Sequence, residues 1–281
     1  MISSKVKTAM DPKLFHFTSK PRLHKPSFLV GWTKDTGALS GAVLAFLCDM
    51  VGADRFCRIE PASFFAVGGV TVEDDIARFP QSTFFGDEPG NRVFLQADEP
   101  QVHKYEFLSA VLDMVEHFDG AEILCTVNGV ASMLSHTAER HAFMVSNDVA
   151  VRKRLRRFVP AAMTWQGPPH TSTYLAWLAA QRHLPGVGLW FEVPFYLAGQ
   201  EDFRAVKAAV SLLGRILGCK CDLSDFDRHI ADQDEALAQL RREYPEIDTQ
   251  IQTVERGESL DAEEQEELIE AVGNALKQRT G

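Results

Sequence analysis

Apolar residues alternate along this chain between a strand-like and a helix-like spacing. Phe28-Leu-Val-Gly-Trp32 has the character of a buried strand and is closed by the polar loop Thr33-Lys-Asp-Thr-Gly37. Leu39 to Met50 reads as a helix whose Ala and Gly positions let it lie close on a sheet. Arg55 to Ile59 is a second strand, which completes a βαβ-like start. Residues 60–90, rich in Phe, Gly, Pro and Asp, predict irregular structure or short strands, and Arg92 to Gln96 is another strand. His103 to Phe118 is the clearest amphipathic helix of the first half, with Phe107, Val111, Met114, Val115 and Phe118 on one stripe. Ile123-Leu-Cys-Thr-Val127 is almost continuously apolar, as expected of a strand covered on both faces.

The second half continues the alternation. A polar loop and a helix are expected after Val127, then a strand at His141–Ser146 and helices at Val149–Arg157 and Thr171–Arg182, the latter capped by Thr171 or Ser172. Val187 to Val193 is a strand that stops at Pro194, and Phe203 to Leu217 is a helix rich in Ala, Val and Leu. Strands and helices thus alternate over residues 28–218, which argues for a mostly parallel sheet with helices on both faces.

The composition changes at Ser224. Residues 222–281 carry 17 acidic and 6 basic side chains, and 224–244 and 261–278 read as helices separated by Pro245 and the Gly257 region. Ser224 and Ser259 are N-cap candidates, with Asp261 as the alternative to Ser259. The organisation expected is an extended, Pro-containing lead-in over 1–26, an α/β core over 27–223 and an acidic helical appendage over 224–281.

A formal net charge of -10 argues against general attraction to nucleic acid or an anionic membrane. No apolar run approaches the roughly 20 residues that span a bilayer. Met1 to Lys13 lacks the apolar core of a secretory signal, so a cytoplasmic location is expected. Cysteines at 48, 57, 125, 219 and 221 fit reduced thiols in such a compartment. Cys219 and Cys221 are one residue apart with no second pair, so neither a metal site nor a cofactor is expected.

Candidate chemistry gathers at the strand ends. Thr33 to Gly37 lies between a strand and a helix, where backbone N–H groups can hold an anion; Lys34 would add charge, with Thr36 and Gly37 in the turn. An ordinary tight turn is the competing reading. Asn128, His136, Thr137, Arg140 and His141 follow an apolar strand; His136 could serve as an acid/base and Arg140 as an anion ligand, or the group could satisfy loop backbone or meet a neighbouring subunit. His170, just before a helix, is a further ligand-binding candidate. Glu192 interrupts an apolar strand and needs a partner, for which Arg140 is a candidate. The basic run Arg152-Lys-Arg-Leu-Arg-Arg157 is expected to pair with the acidic C-terminal region, within the chain or between subunits.

Five blocks in order resemble the PAC2 family, over about residues 28–255. They are Leu29-Val-Gly-Trp-Thr-Lys-Asp-Thr-Gly37 through Gly41; Val127-Asn-Gly129 with Ser135-His-Thr137; Gly167-Pro-Pro-His-Thr-Ser-Thr-Tyr174; the segment with Glu192, Pro194 and Tyr196; and Gly218-Cys-Lys-Cys-Asp-Leu223. Where actinobacterial-type members continue Arg-Pro after the His-Thr element, this chain has Ala138-Glu139. The resemblance implies a three-layer α/β/α sandwich like that of phosphorylases and hydrolases, and self-association, with trimers common in bacterial relatives. It also implies kinship with proteasome assembly chaperones. Some archaeal relatives dock on the proteasome through a C-terminal hydrophobic-Tyr tail; this chain ends Gln278-Arg-Thr-Gly281, so docking by that device is not expected. Related sequences have been grouped with ATP-grasp enzymes, but no recognisable set of acidic metal ligands supports that reading here.

Two functional classes follow. The first is a non-enzymatic, homo-oligomeric binding or assembly factor whose partners are itself and possibly another protein. The second is an enzyme on a nucleoside-phosphorylase-like scaffold acting on a nucleoside or a carboxylate. That enzyme would use Asp35, Asn128, His136 and Glu192, and it requires them to converge within about 10 Å. Fold similarity alone does not supply that convergence.

Overall fold

The apolar run at residues 28–32 lies in the middle of an eight-stranded sheet, and the rest of the chain is arranged around it. The computed structural model describes residues 10–65, 71–73, 75–161, 164, 166, 167 and 170–280. Residues 1–9 of the expected lead-in, Pro168 and Pro169 of the third family block, and Gly281 lie outside the described residues.

In chain order the strands are β1 (Phe15–Phe17), β2 (Ser27–Trp32), β3 (Asp54–Ile59), β4 (Thr71–Glu73), β5 (Ile76–Arg78), β6 (Ser82–Asp87), β7 (Arg92–Ala97), β8 (Ile123–Ser132), β9 (Ala142–Ser146) and β10 (Gly186–Pro194). The helices are α1 (Leu39–Val51), α2 (Lys104–His117), α3 (Val149–Leu155), α4 (Thr171–Gln181), α5 (Phe203–Leu217), α6 (Ser224–Glu243), α7 (Pro245–Glu255) and α8 (Ala262–Thr280). The main sheet has the order β1-β3-β6-β7-β2-β8-β10-β9, and β4 and β5 form a separate hairpin.

The sheet is mixed rather than mostly parallel. β7, β2, β8 and β10 are parallel, and antiparallel strands extend both sides. The physical reason lies in the connections. Parallel pairing needs a crossover, which α1, α2 and α4 provide around the centre. Residues 88–91 between β6 and β7 are too few for a crossover, so these strands form a hairpin. Residues 60–90, expected to be irregular or short strands, thus supply β6 to the main sheet as well as the β4–β5 hairpin. The lead-in is not wholly extended coil, because β1 pairs with β3 and buries Phe15.

Side-chain alternation divides the interior into two cores, one on each face. Leu29, Cys125, Val127, Leu189, Phe191 and Val193 face α1, α3, α5 and the C-terminal helices. Phe28, Val30, Trp32, Val93, Leu95 and Leu124 face α2 and α4. The result is a three-layer α/β/α sandwich. Gly31 lets α1 close on the sheet; a Cβ there would stand 3.0 Å from the Ser40 carbonyl oxygen. Leu237, Ile251, Leu268 and Val272 of the C-terminal helices belong to the same core cluster as β10 and α5. Burying each such side chain contributes about 1.5–3 kcal/mol.

Local expectations change in four places. No helix follows Val127: β8 runs on to Ser132 in register with β10, and the carbonyls of Ser135, His136 and Ala138 accept from the Arg140 guanidinium instead of from helical N–H groups. Pro245 starts a third C-terminal helix, since its missing N–H costs nothing in a first turn. His170 caps α4 by accepting from Ser172 N–H, in place of Thr171 or Ser172. Asp222 accepts from the backbone and hydroxyl of Ser224, just before α6. At α8 the Asp261 alternative is the one formed: its carboxylate accepts from Glu264 N–H, and Glu264 accepts from Asp261 N–H, each at 2.9 Å.

This reciprocal cap predicts that Asp261→Ala costs about 1 kcal/mol. Differential scanning calorimetry should show a fall in Tm of about 2–4 °C with unchanged helix content at room temperature.

Candidate functional site

Ligands in open α/β sheets bind beyond the carboxyl ends of the parallel strands. That end of this molecule carries several polar groups, and most are tied into the fold.

The turn after β2 was the candidate anion cradle. Its centre is filled by the chain's own carboxylate. Asp35 accepts from Ser40 N–H at 3.0 Å and from Gly129 N–H at 2.9 Å, so it joins the start of α1 to β8. Burial pushes its carboxyl above the usual carboxylate range, and the bonds from Gly129 and Ser40 oppose that rise. Gly37 N–H donates to the Ala198 carbonyl at 2.8 Å, and Thr36 lies so close to β8 that a Cβ on Gly129 would collide with its carbonyl oxygen. Lys34 is exposed, and its ammonium has no acidic partner among the described residues.

The segment after β8 holds a second network. Arg140 is fully committed: Nε donates to Asp202 Oδ2 at 2.8 Å, and the terminal nitrogens donate to Asp202 and to the carbonyls of Ser135, His136 and Ala138. Its side chain is 1% exposed and that of Asp202 0%. Asp202 also caps α5 through the N–H groups of Arg204 and Ala205. His136 N–H donates to Tyr196 Oη at 2.6 Å, which leaves the phenol proton for His136 Nδ1 at 3.0 Å. Burial lowers the imidazole to about 4 and raises the Tyr196 phenol to about 12, so both are neutral at pH 7. Thr137 bonds only to Ser135 among the described residues.

The third network lies on the other face. Trp32 Nε1 donates to Ser172 Oγ at 2.7 Å, Ser172 donates to Asn128 Oδ1, and Asn128 Nδ2 donates to Thr126 Oγ1 and the Leu189 carbonyl. Nearby, the His170 ring meets Trp190 edge-to-face at 4.8 Å, and Nε2 faces Glu99 at 3.7 Å. Burial lowers the His170 imidazole against the pull of Glu99. Glu192 pairs with His141 at 3.0 Å rather than with Arg140.

The sheet therefore separates the four groups of the enzyme reading. Even-numbered residues of β8 and β10 put Asn128 and Glu192 on the α4 face, whereas Asp35, bonded to Gly129, lies on the α1 face with the His136–Tyr196 pair. Asp35, Asn128 and His136 are also occupied by bonds that hold the backbone. Among the described residues no group of three His, Cys, Asp or Glu side chains could hold a metal ion, and no helix is long and apolar enough to cross a membrane.

An open cleft of about 650 Å³ lies beside this strand end. It lies over β6 and β7 beside the Thr33–Lys34 turn, and Lys34, Arg55, Gln96, Phe65, Phe79 and Phe85 give it cationic, amide and aromatic walls. Its carboxylates are engaged: Asp98 accepts from Thr33 Oγ1 and from Gln81 N–H, and Glu99 faces His170. It can attract an anion with an apolar body, and no free acid/base pair is found among its described lining residues. Arg55 and Gln96 went unrecognised in the sequence, where they are ordinary strand residues. Asp202 carried a partial signal, an acid before a helix, but its pairing with Arg140 spans 62 residues.

The structure is a three-layer sandwich whose strand-end polar groups are bonded into the fold, with a helical C-terminal layer. The PAC2 family model matches residues 28–241, and the chain belongs to that family. Among solved structures it is similar to a Mycobacterium tuberculosis protein of unknown function, with a TM-score of 0.74 and 18% identity, covering 88% of this chain and 91% of that one. It is also similar to Pyrococcus furiosus PbaB, an archaeal proteasome activator, with a TM-score of 0.68, 16% identity and coverage of 81% and 98%. A Mycobacterium tuberculosis proteasome-assembly chaperone homologue matches with a TM-score of 0.65, 15% identity and coverage of 76% and 94%. At these identities the likeness shows the fold. No curated protein matches the chain.

Two predictions follow from the buried networks. Asp202→Ala leaves the Arg140 charge without its counter-ion and should cost about 3–5 kcal/mol in urea unfolding; Arg140→Met with Asp202→Leu should cost less than Asp202→Ala alone. His136 has a folded pKa below its ordinary 6.5, so the unfolded chain binds the proton first. Its contribution to stability is complete above pH 6.5 and is lost as pH falls toward 4. That loss is on the order of 3 kcal/mol, and His136→Gln should remove it from the pH profile of unfolding.

Proposed function

We propose that this protein is a non-enzymatic PAC2-type binding or assembly factor that works as a homo-oligomer through its surfaces. The observation that carries this reading is the use of the strand-end polar groups. Asp35, Asn128, His136 and Arg140 bond to backbone and to each other's neighbours across two faces of the sheet, so among the described residues these groups do not converge for acid/base catalysis. Family membership supports the same reading, as do the proteasome-related descriptions of several structurally similar proteins. A trimer, a cytoplasmic location and a further protein partner belong to the proposal.

A second reading has one observation in its favour. The cleft beside Lys34 and Arg55 suits a small carboxylate with an apolar body, bound and not transformed.

Light scattering over a range of concentrations should give three chain masses; a monomer throughout would overturn self-association. A thermal-shift screen against nucleosides, nucleotides and small carboxylates, with and without Mg²⁺, should be flat. A ligand at about 100 times its dissociation constant would add about 2.7 kcal/mol. A shift for a carboxylate that Lys34→Ala abolishes would establish the second reading in place of a purely surface-acting factor.

A further inference from the structure

Two surfaces of opposite charge lie at opposite ends of the strands. The basic one is α3. Val151 and Leu155 bury its inner side, and Arg152, Lys153 and Arg156 stand exposed around a recess of about 430 Å³ beside Val149, which is 73% exposed. Arg154 pairs with Glu122 at 3.2 Å and Arg157 lies over the Phe158 ring at 4.5 Å. Among the described residues, Arg152, Lys153 and Arg156 have no acidic partner, so the expected pairing with the acidic C-terminal region is not made within the chain.

The acidic surface is a groove of about 670 Å³ between α6, α7 and α8. Glu243, Glu246, Glu267 and Glu270 line it together with Tyr244, which is 48% exposed. No lysine, arginine or histidine is among its described lining residues.

Topology keeps the two apart. Glu122, the partner of Arg154, immediately precedes the first residue of β8, so α3 lies at the amino ends of the parallel strands. The groove lies at the carboxyl ends. α8 packs on residues 195–197, which follow β10, and Arg204 at the start of α5 pairs with Asp234 of α6 at 2.6 Å. β10, nine residues long, alone spans about 30 Å between those ends.

We propose that α3 of one copy docks in the α6–α8 groove of a second copy. This inference rests on the reading that the protein self-associates. Three cations then face four glutamates, and Val149 and Tyr244 supply an apolar centre where a guanidinium can also lie on the Tyr244 ring. Such exposed pairs are individually weak and screened by salt, so the contact depends on several of them acting together, and their pattern sets its register. The contact joins two different patches, so it repeats until a ring closes. Closure after three copies gives the trimer.

The test is sedimentation velocity of the full chain and three variants. Wild type should be oligomeric and should dissociate in about 1 M salt, where the screening length falls to about 3 Å. Arg152→Glu/Arg156→Glu and Glu267→Arg/Glu270→Arg should each weaken association by about tenfold or more. The variant carrying all four exchanges should regain it. Circular dichroism and unfolding midpoints close to wild type show that the variants are folded. A wild-type oligomer that Arg152→Glu/Arg156→Glu leaves intact overturns this surface and spares self-association. Folded single-patch variants that dissociate but are not rescued by the four-fold exchange overturn the pairing of these two faces. A monomeric wild type removes the underlying reading itself.

Discussion

The buried pair between Arg140 and Asp202 ties together three parts of the molecule: the segment after β8, α5, and the C-terminal helices that pack on α5. A guanidinium removed from water must find a counter-charge and acceptors for every donor. Arg140 finds Asp202 and three carbonyls of the segment after β8, which folds around the guanidinium without regular secondary structure. Asp202 in turn caps α5, the helix on which α6 packs. Loop, helix and C-terminal layer therefore share one electrostatic anchor. His136, neutral and bonded to Tyr196, completes the apolar surroundings that make the pair costly to break.

The same economy appears in the turn after β2. A strand-end turn with free N–H groups attracts an anion, and Asp35 supplies that anion from within. The close approach of Thr36 to Gly129 leaves no room for another. What stays open is the cleft over β6 and β7 and the charged outer faces of the helical layers. These surfaces are the ones on which the proposed association would depend.

Much of the candidate chemistry was visible as residue types and invisible as geometry. His136, Arg140 and Glu192 stand out in the sequence because polar groups beside apolar strands need partners. Their partners, Tyr196, Asp202 and His141, lie 51–62 residues away and are set by how the layers close. The one-residue alternation of β8 decides that Asn128 and Gly129 serve opposite faces, and this separates groups that adjoin in the sequence. Similarly, Pro245 is a helix breaker in one context and a helix starter in another, and the choice depends on how α6 and α7 pack.

The sequence by itself determined the alternation of elements, the amphipathic stripe of α2, the buried run of β8, the helical C-terminal segment and the family. These rest on periodicity and local propensity, which act over a few residues. Tertiary structure decided the mixed sheet, the place of β1 and β6, the partner of every buried charge and the separation of the acidic and basic surfaces. Those depend on contacts between residues far apart in the chain, where hydrogen-bond satisfaction and the twofold alternation of strands select one arrangement from several that the local pattern allows.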